Sequence, residues 1–187
     1  MNDKIKGIFT IVFLITIGII LRCLPHPPNF TPIGAIALFG GIYLSKKVAI
    51  SMPILAMIIS DFFIGPYDIE LMLCVYGGFI FMVFLGSWLK KYKKYNAVLI
   101  GSLASAFLFF VITNFAVWIF TPWYSNNLSG LSLCYAMGLP FLKNDLIGTL
   151  FYTGILVGSY EFANLLIKKY SKFFCRQFIF KEKDAIT

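Results

Sequence analysis

The chain has 187 residues, of which 59% are apolar and 13% charged, with a mean hydropathy of +0.85. A soluble domain carries about 25% charge, so too few charged groups are present to cover a water-facing surface, and 21 Phe and 10 Tyr exclude a disordered linker. The net charge of +8 could suggest nucleic acid, but the basic residues sit in short bursts between apolar runs, so the partner they imply is the lipid bilayer and not nucleic acid.

Taken in chain order, the apolar windows predict six helices. The first covers residues 7–21 and is interrupted by Arg22. Lys4 and Lys6 ahead of it resemble the charged region of a signal peptide, but Arg22, Cys23, Leu24 and Pro25 offer no small-residue cleavage site, so the segment is expected to remain as a span. The second, 33–45, is expected to start at Pro32 with Thr31 as N-cap. It is too short to cross about 30 Å of hydrocarbon squarely, which predicts a thinned or protein-lined position. The third covers 48–65, the fourth 71–89, the fifth 97–120 and the sixth 145–167. With the N-terminus inside, every basic residue except Arg22 and Lys143 falls on the inner side, which predicts both termini inside. The expected organisation is an all-α transmembrane domain over 1–170 and a cytoplasmic basic and aromatic tail over 171–187, lying on anionic lipid.

The outer connections carry the distinctive residues. RCLPHPPNFTP, 22–32, holds four prolines, which fix φ and forbid a helix, so Arg22, His26 and Asn29 are presented on a stiff scaffold. Asp61 lies about one turn inside the outer end of the third helix. A carboxylate at mid-membrane costs about 2.5–3.5 kcal/mol, which predicts a water-filled cavity or a partner such as Arg22 or His26 for Asp61. The connection 121–144 is long, and its LSLCYAMGLPFL stretch is too apolar for open solvent, so it is expected to form a short helix or lid. Asn114 and Trp118 fall at i and i+4 on one face of the fifth helix, and Asn144 closes the loop. Gly34, Ala37 and Gly41 give the second helix a small-residue face that predicts close packing. Cys23, Cys74, Cys134 and Cys175 form no CxxC pair and no metal-ligand spacing. No Walker A, HExxH or GxSxG motif occurs, so neither enzyme activity nor a cofactor is expected.

RCLPHPPNFTPIGAIALFGG, the pair Ser60 and Asp61, ITNFAVW and GLSLCYAMGLPFLKNDLIGTLFY together resemble an uncharacterised family of bacterial six-span membrane proteins taken to be transporters. That family in turn resembles the substrate-binding S components of energy-coupling-factor (ECF) vitamin transporters. The resemblance implies a bundle in the bacterial cytoplasmic membrane with a ligand pocket near its outer face. It also implies a separate membrane coupling subunit and ATPases as partners. In the first helix Gly7 and Gly18 depart from the four-residue spacing of small residues seen in S components, and Thr149 stands where the bacterial family carries an acid.

The functional expectation is a substrate-capture subunit for uptake of a small organic molecule such as a vitamin. Arg22, His26 and Asn29 would bind polar or anionic groups, Asp61 and Asn114 would fix orientation, Trp118 would supply apolar surface and Asn144 would contribute from the loop. The alternative is a membrane scaffold without a small-molecule ligand, in which Asp61 pairs with Arg22 or His26 as structural glue.

Overall fold

In a computed structural model of the chain, the backbone is described for residues 3–65, 67–92 and 95–184, and side chains for 7–65, 67–92 and 95–169. The architecture is all-α: α1 (Asp3–Cys23), α2 (Ile33–Tyr43), α3 (Lys46–Ile64), α4 (Ile69–Leu89), α5 (Tyr95–Phe120) and α6 (Leu128–Asp184). Among the described residues, four segments are long and apolar enough to cross a membrane: α3, α4, α5 and Leu128–Lys169 of α6. Gly7–Cys23 of α1 and the whole of α2 are shorter apolar helices. The chain is therefore built as a multi-pass membrane protein.

Two compact units are present, Met1–Thr153 and Gly154–Thr187. The second is helical through Asp184, and the side chains of the predicted tail, 171–187, lie outside the described residues. The rest of this description concerns the first unit.

The shortness of α2 has a physical explanation in its surroundings. Eleven residues rise about 17 Å at 1.5 Å each, which is well short of a bilayer, but Ile33 through Ile42 are all buried. Packed against α1, α3, α4 and α5, the helix is lined by protein, as the sequence allows. With the chain supplying its surroundings, α2 has no need of a polar face, and its residues are apolar or glycine apart from Tyr43. Thr31 is not its cap. Pro32 occupies the N-cap position without a side-chain hydrogen bond, and the first helical bond runs from the Ile36 N–H to the Pro32 carbonyl at 2.8 Å.

Around α2 a core of Ile33, Ala37, Ala56, Met57, Phe79, Met82, Val83 and Phe109 is buried. Large apolar side chains point outward instead, with Phe62 84% and Phe63 69% exposed beside the buried Asp61. In a bilayer that outward face is solvated by lipid tails, so the helices follow the reverse of the water-soluble pattern on their outer surface.

The segment 121–144 differs from expectation. Helix α6 begins at Leu128, not at Asp145, and runs through Pro140. Proline removes one helical hydrogen bond, a cost offset here by tertiary contacts: the Tyr135 hydroxyl donates to the Val111 carbonyl at 2.9 Å, and the Cys134 thiol to the Asn114 carbonyl at 3.3 Å. The apolar LSLCYAMGLPFL stretch is thus the first part of a span packed on α5, and the true connection shrinks to 121–127.

Candidate functional site

A cavity of about 360 Å³ opens within the first unit. Its lining draws on the α1–α2, α3–α4 and α5–α6 connections, so it lies at the end of the bundle opposite Lys46, Lys47, Lys90 and Lys91. The walls are mainly apolar and aromatic, with Met57, Val75, Phe79, Phe109 and Phe141 among them. Polar side chains enter at a few points: Arg22, Asn29, Thr31, Thr113, Asn114 and Asp145. The size and the sparse polar lining are those of a small-molecule pocket.

The charged cluster at its rim starts from Arg22 in the last turn of α1. Its Nη2 lies 2.6 Å from Asp61 Oδ1, and the two side chains are 15% and 9% exposed. The Arg22 Nη1 also donates to the Ser60 hydroxyl, which in turn donates to the Ala56 carbonyl at 2.6 Å. The Tyr76 hydroxyl donates to the other Asp61 oxygen at 2.7 Å. Both carboxylate oxygens are therefore engaged from α1 and α4. Tyr76→Phe is expected to lower stability by about 1–2 kcal/mol, because the carboxylate oxygen loses its donor in a buried place; a thermal-unfolding midpoint equal to wild type would show that the bond contributes nothing.

Tyr67, in the α3–α4 connection, adds a phenol to the lining. Burial, and secondarily the Asp61 charge, push it up to about 12, with Arg22 opposing. Because the folded value is raised, the proton stays on the phenol throughout the physiological range. Any stability linked to it is lost only as pH climbs from about 10 towards 12.

Asn29 owes its position to a turn. The Phe30 N–H bonds the Pro27 carbonyl at 3.0 Å, and Asn29 has φ +63°. Proline at the second position and Asn at a positive-φ third position is the residue pattern of a type II turn. The turn is held from α6 by the Asn144 amide, which donates to the Pro28 carbonyl at 3.0 Å, and by Phe30 packing near Phe151 and Tyr152.

Of the seven residues singled out from sequence, Arg22, Asn29 and Asn114 line the cavity. Asp61 stands behind Arg22 as its counter-ion. His26, Trp118 and Asn144 are not in the lining. The His26 Nδ1 donates to the Leu24 carbonyl at 2.6 Å, and the Trp118 indole N–H donates to the Ser125 carbonyl at 3.0 Å, where it fastens the α5–α6 connection. The residue that sequence reasoning passed over is Asp145, which is 7% exposed and lies in the cavity wall. It stands at the predicted start of the sixth helix, where the sequence reading gave it no role. Its spacing of four from Thr149, whose hydroxyl donates to it at 3.1 Å, was the available signal once the helix is known to continue through it.

Residues 2–173 match a family of unknown function (DUF6580), and the chain belongs to that family. No curated protein and no solved structure matches it.

Proposed function

We propose that this protein is a substrate-capture subunit of the S-component type, residing in the bacterial cytoplasmic membrane with both termini inside. On this reading it binds a small organic molecule such as a vitamin for uptake, and a separate coupling subunit with ATPases supplies the energy. The observation that carries the reading is the cavity itself: about 360 Å³ of space with apolar walls and a few inward polar groups, reached from the end of the bundle away from the basic connections. Under the positive-inside rule that end faces outward, as capture from outside requires. A concavity of this size departs from the near-crystalline density at which interiors otherwise pack, which favours a binding role over a scaffold.

The test is thermal unfolding of the purified full chain in detergent against a panel of vitamins and related metabolites. A ligand at about 100 times its Kd adds about 2.7 kcal/mol of stability, which for a chain of this size is a rise of roughly 5–10 °C. One compound producing such a rise is the expected result. A folded protein indifferent to every compound would favour the scaffold.

A further inference from the structure

Resting on the reading of the cavity as a binding site, we infer that its ligand is a small organic cation: a protonated nitrogen on an apolar or aromatic body, held by Asp145. The argument begins with an incomplete hydrogen-bond account. Asp145 Oδ1 receives the Thr149 hydroxyl at 3.1 Å, while Oδ2 is buried and has no hydrogen-bond partner among the described residues. Buried carboxylate oxygens are nearly always satisfied, because an unsatisfied one costs free energy that no packing gain at the same atom returns. The residue also forms part of the wall of an open cavity, and a turn of its side chain would bring that oxygen to a donor arriving with a ligand.

The charge balance gives the sign. Among the described lining residues the charged side chains are Arg22 and Asp145, and Arg22 is already paired with Asp61. The lining therefore holds one carboxyl group, that of Asp145, without a basic partner. This differs from the expectation from sequence that Arg22 would bind polar or anionic groups. An anion would have to compete with Asp61 for the guanidinium and would meet Asp145 within the same space.

The walls give the class of cation. Tyr67, Phe79, Phe109 and Phe141 surround the space with aromatic surface, which attracts cations through ring faces and accepts flat apolar bodies. A magnesium or calcium ion instead takes six or more oxygen ligands, and among the described residues no three His, Cys, Asp or Glu side chains converge. One carboxyl group in the wall of a cavity lined by aromatic rings suits a nitrogen cation carried on carbon.

The experiment compares three probes of one shape and different charge on the purified full chain: tryptamine, its neutral alcohol counterpart tryptophol, and indole-3-propionate. Sodium, potassium and magnesium chlorides form a further arm, and Asp145→Asn is measured beside wild type by thermal unfolding and by equilibrium binding. The expected result is a rise of several degrees with tryptamine alone and at least about tenfold weaker tryptamine binding in Asp145→Asn, as loss of a charged hydrogen bond implies. Without ligand, the variant should melt no lower than wild type, since it exchanges a buried carboxyl group lacking a partner on one oxygen for a neutral amide of the same shape. Preference for the neutral or anionic probe would overturn the charge assignment while leaving the cavity as a binding site. A saturable response to an inorganic cation that disappears in Asp145→Asn would overturn the organic class. Indifference to every probe here, beside a response to a non-cationic compound in the metabolite panel, would overturn the assignment and leave the cavity as a binding site. The wild-type charge series decides the question even if the variant fails to fold.

Discussion

Asp61→Ala is expected to unfold well below wild type, by about 3 kcal/mol or a fall of roughly 6–12 °C in Tm for a chain of this length. The carboxylate lies 2.6 Å from the Arg22 guanidinium and accepts from Tyr76 at 2.7 Å, so its removal strands a cation and a hydroxyl together. Breaking a buried pair from one side typically costs about 3–5 kcal/mol. The 15% exposure of Arg22 places this pair at the lower end of that range. Arg22→Met should be similarly harmful, because Asp61 then stays buried without its counter-charge. The double variant Arg22→Met with Asp61→Leu should recover much of the loss, since no ion is left uncompensated. Thermal unfolding of the four proteins in one detergent closes the cycle. A coupling of about 2 kcal/mol or more is expected; singles that are each mild and add in the double would sink the claim that the pair holds α1 against α3. The same cycle separates roles, because a counter-ion loses stability when replaced, whereas a pure ligand contact loses binding alone.

That pairing was legible in the sequence, and its neighbours show where legibility ended. An aspartate one turn inside an apolar helix needs a partner, and Arg22 stood at the same membrane level, so charge cost alone suggested the contact. The pairing then changes what Arg22 is for: a guanidinium occupied by Asp61 and Ser60 is a structural tie before it is an anion receptor. His26 and Trp118 were selected by residue type, and type does not fix direction. Each instead satisfies a nearby carbonyl, at Leu24 and Ser125. Asp145 was missed because the apolar stretch before it was assigned to the outer connection as a short helix or lid, which left Asp145 at the start of a separate helix. Only the packing of Cys134, Tyr135 and Gly138 on α5 lets the helix continue, and that packing is information about tertiary structure. The burial of α2 was better encoded, since eleven residues without a charge are too short to span and too apolar for water.

The close packing encoded in α2 yields a second large effect. Gly86→Ala is expected to be among the most destabilising single-methyl additions in the chain, costing about 2–3 kcal/mol as overpacking of a dense interior. A Cβ at Gly86 would collide with the Leu38 carbonyl oxygen, and one at Gly41 with the Val83 carbonyl oxygen. Both obstacles are main chain, which cannot rotate aside as a side chain does, so α2 and α4 would have to separate. Separation would propagate, because α2 also carries Gly34 into the cavity wall and Ala37 into the core. Gly77 on the same α4 is the natural control. A Cβ there meets nothing within 4 Å, so Gly77→Ala should be neutral or slightly stabilising through its helix propensity. Thermal unfolding of Gly41→Ala, Gly86→Ala and Gly77→Ala in parallel tests the crossing directly. If all three melt together, the α2–α4 contact is looser than its backbone distances require. If Gly41→Ala and Gly86→Ala fall while Gly77→Ala holds, the fully buried second helix depends on two glycines where its backbone meets α4, and the shape of the cavity above it depends on them as well.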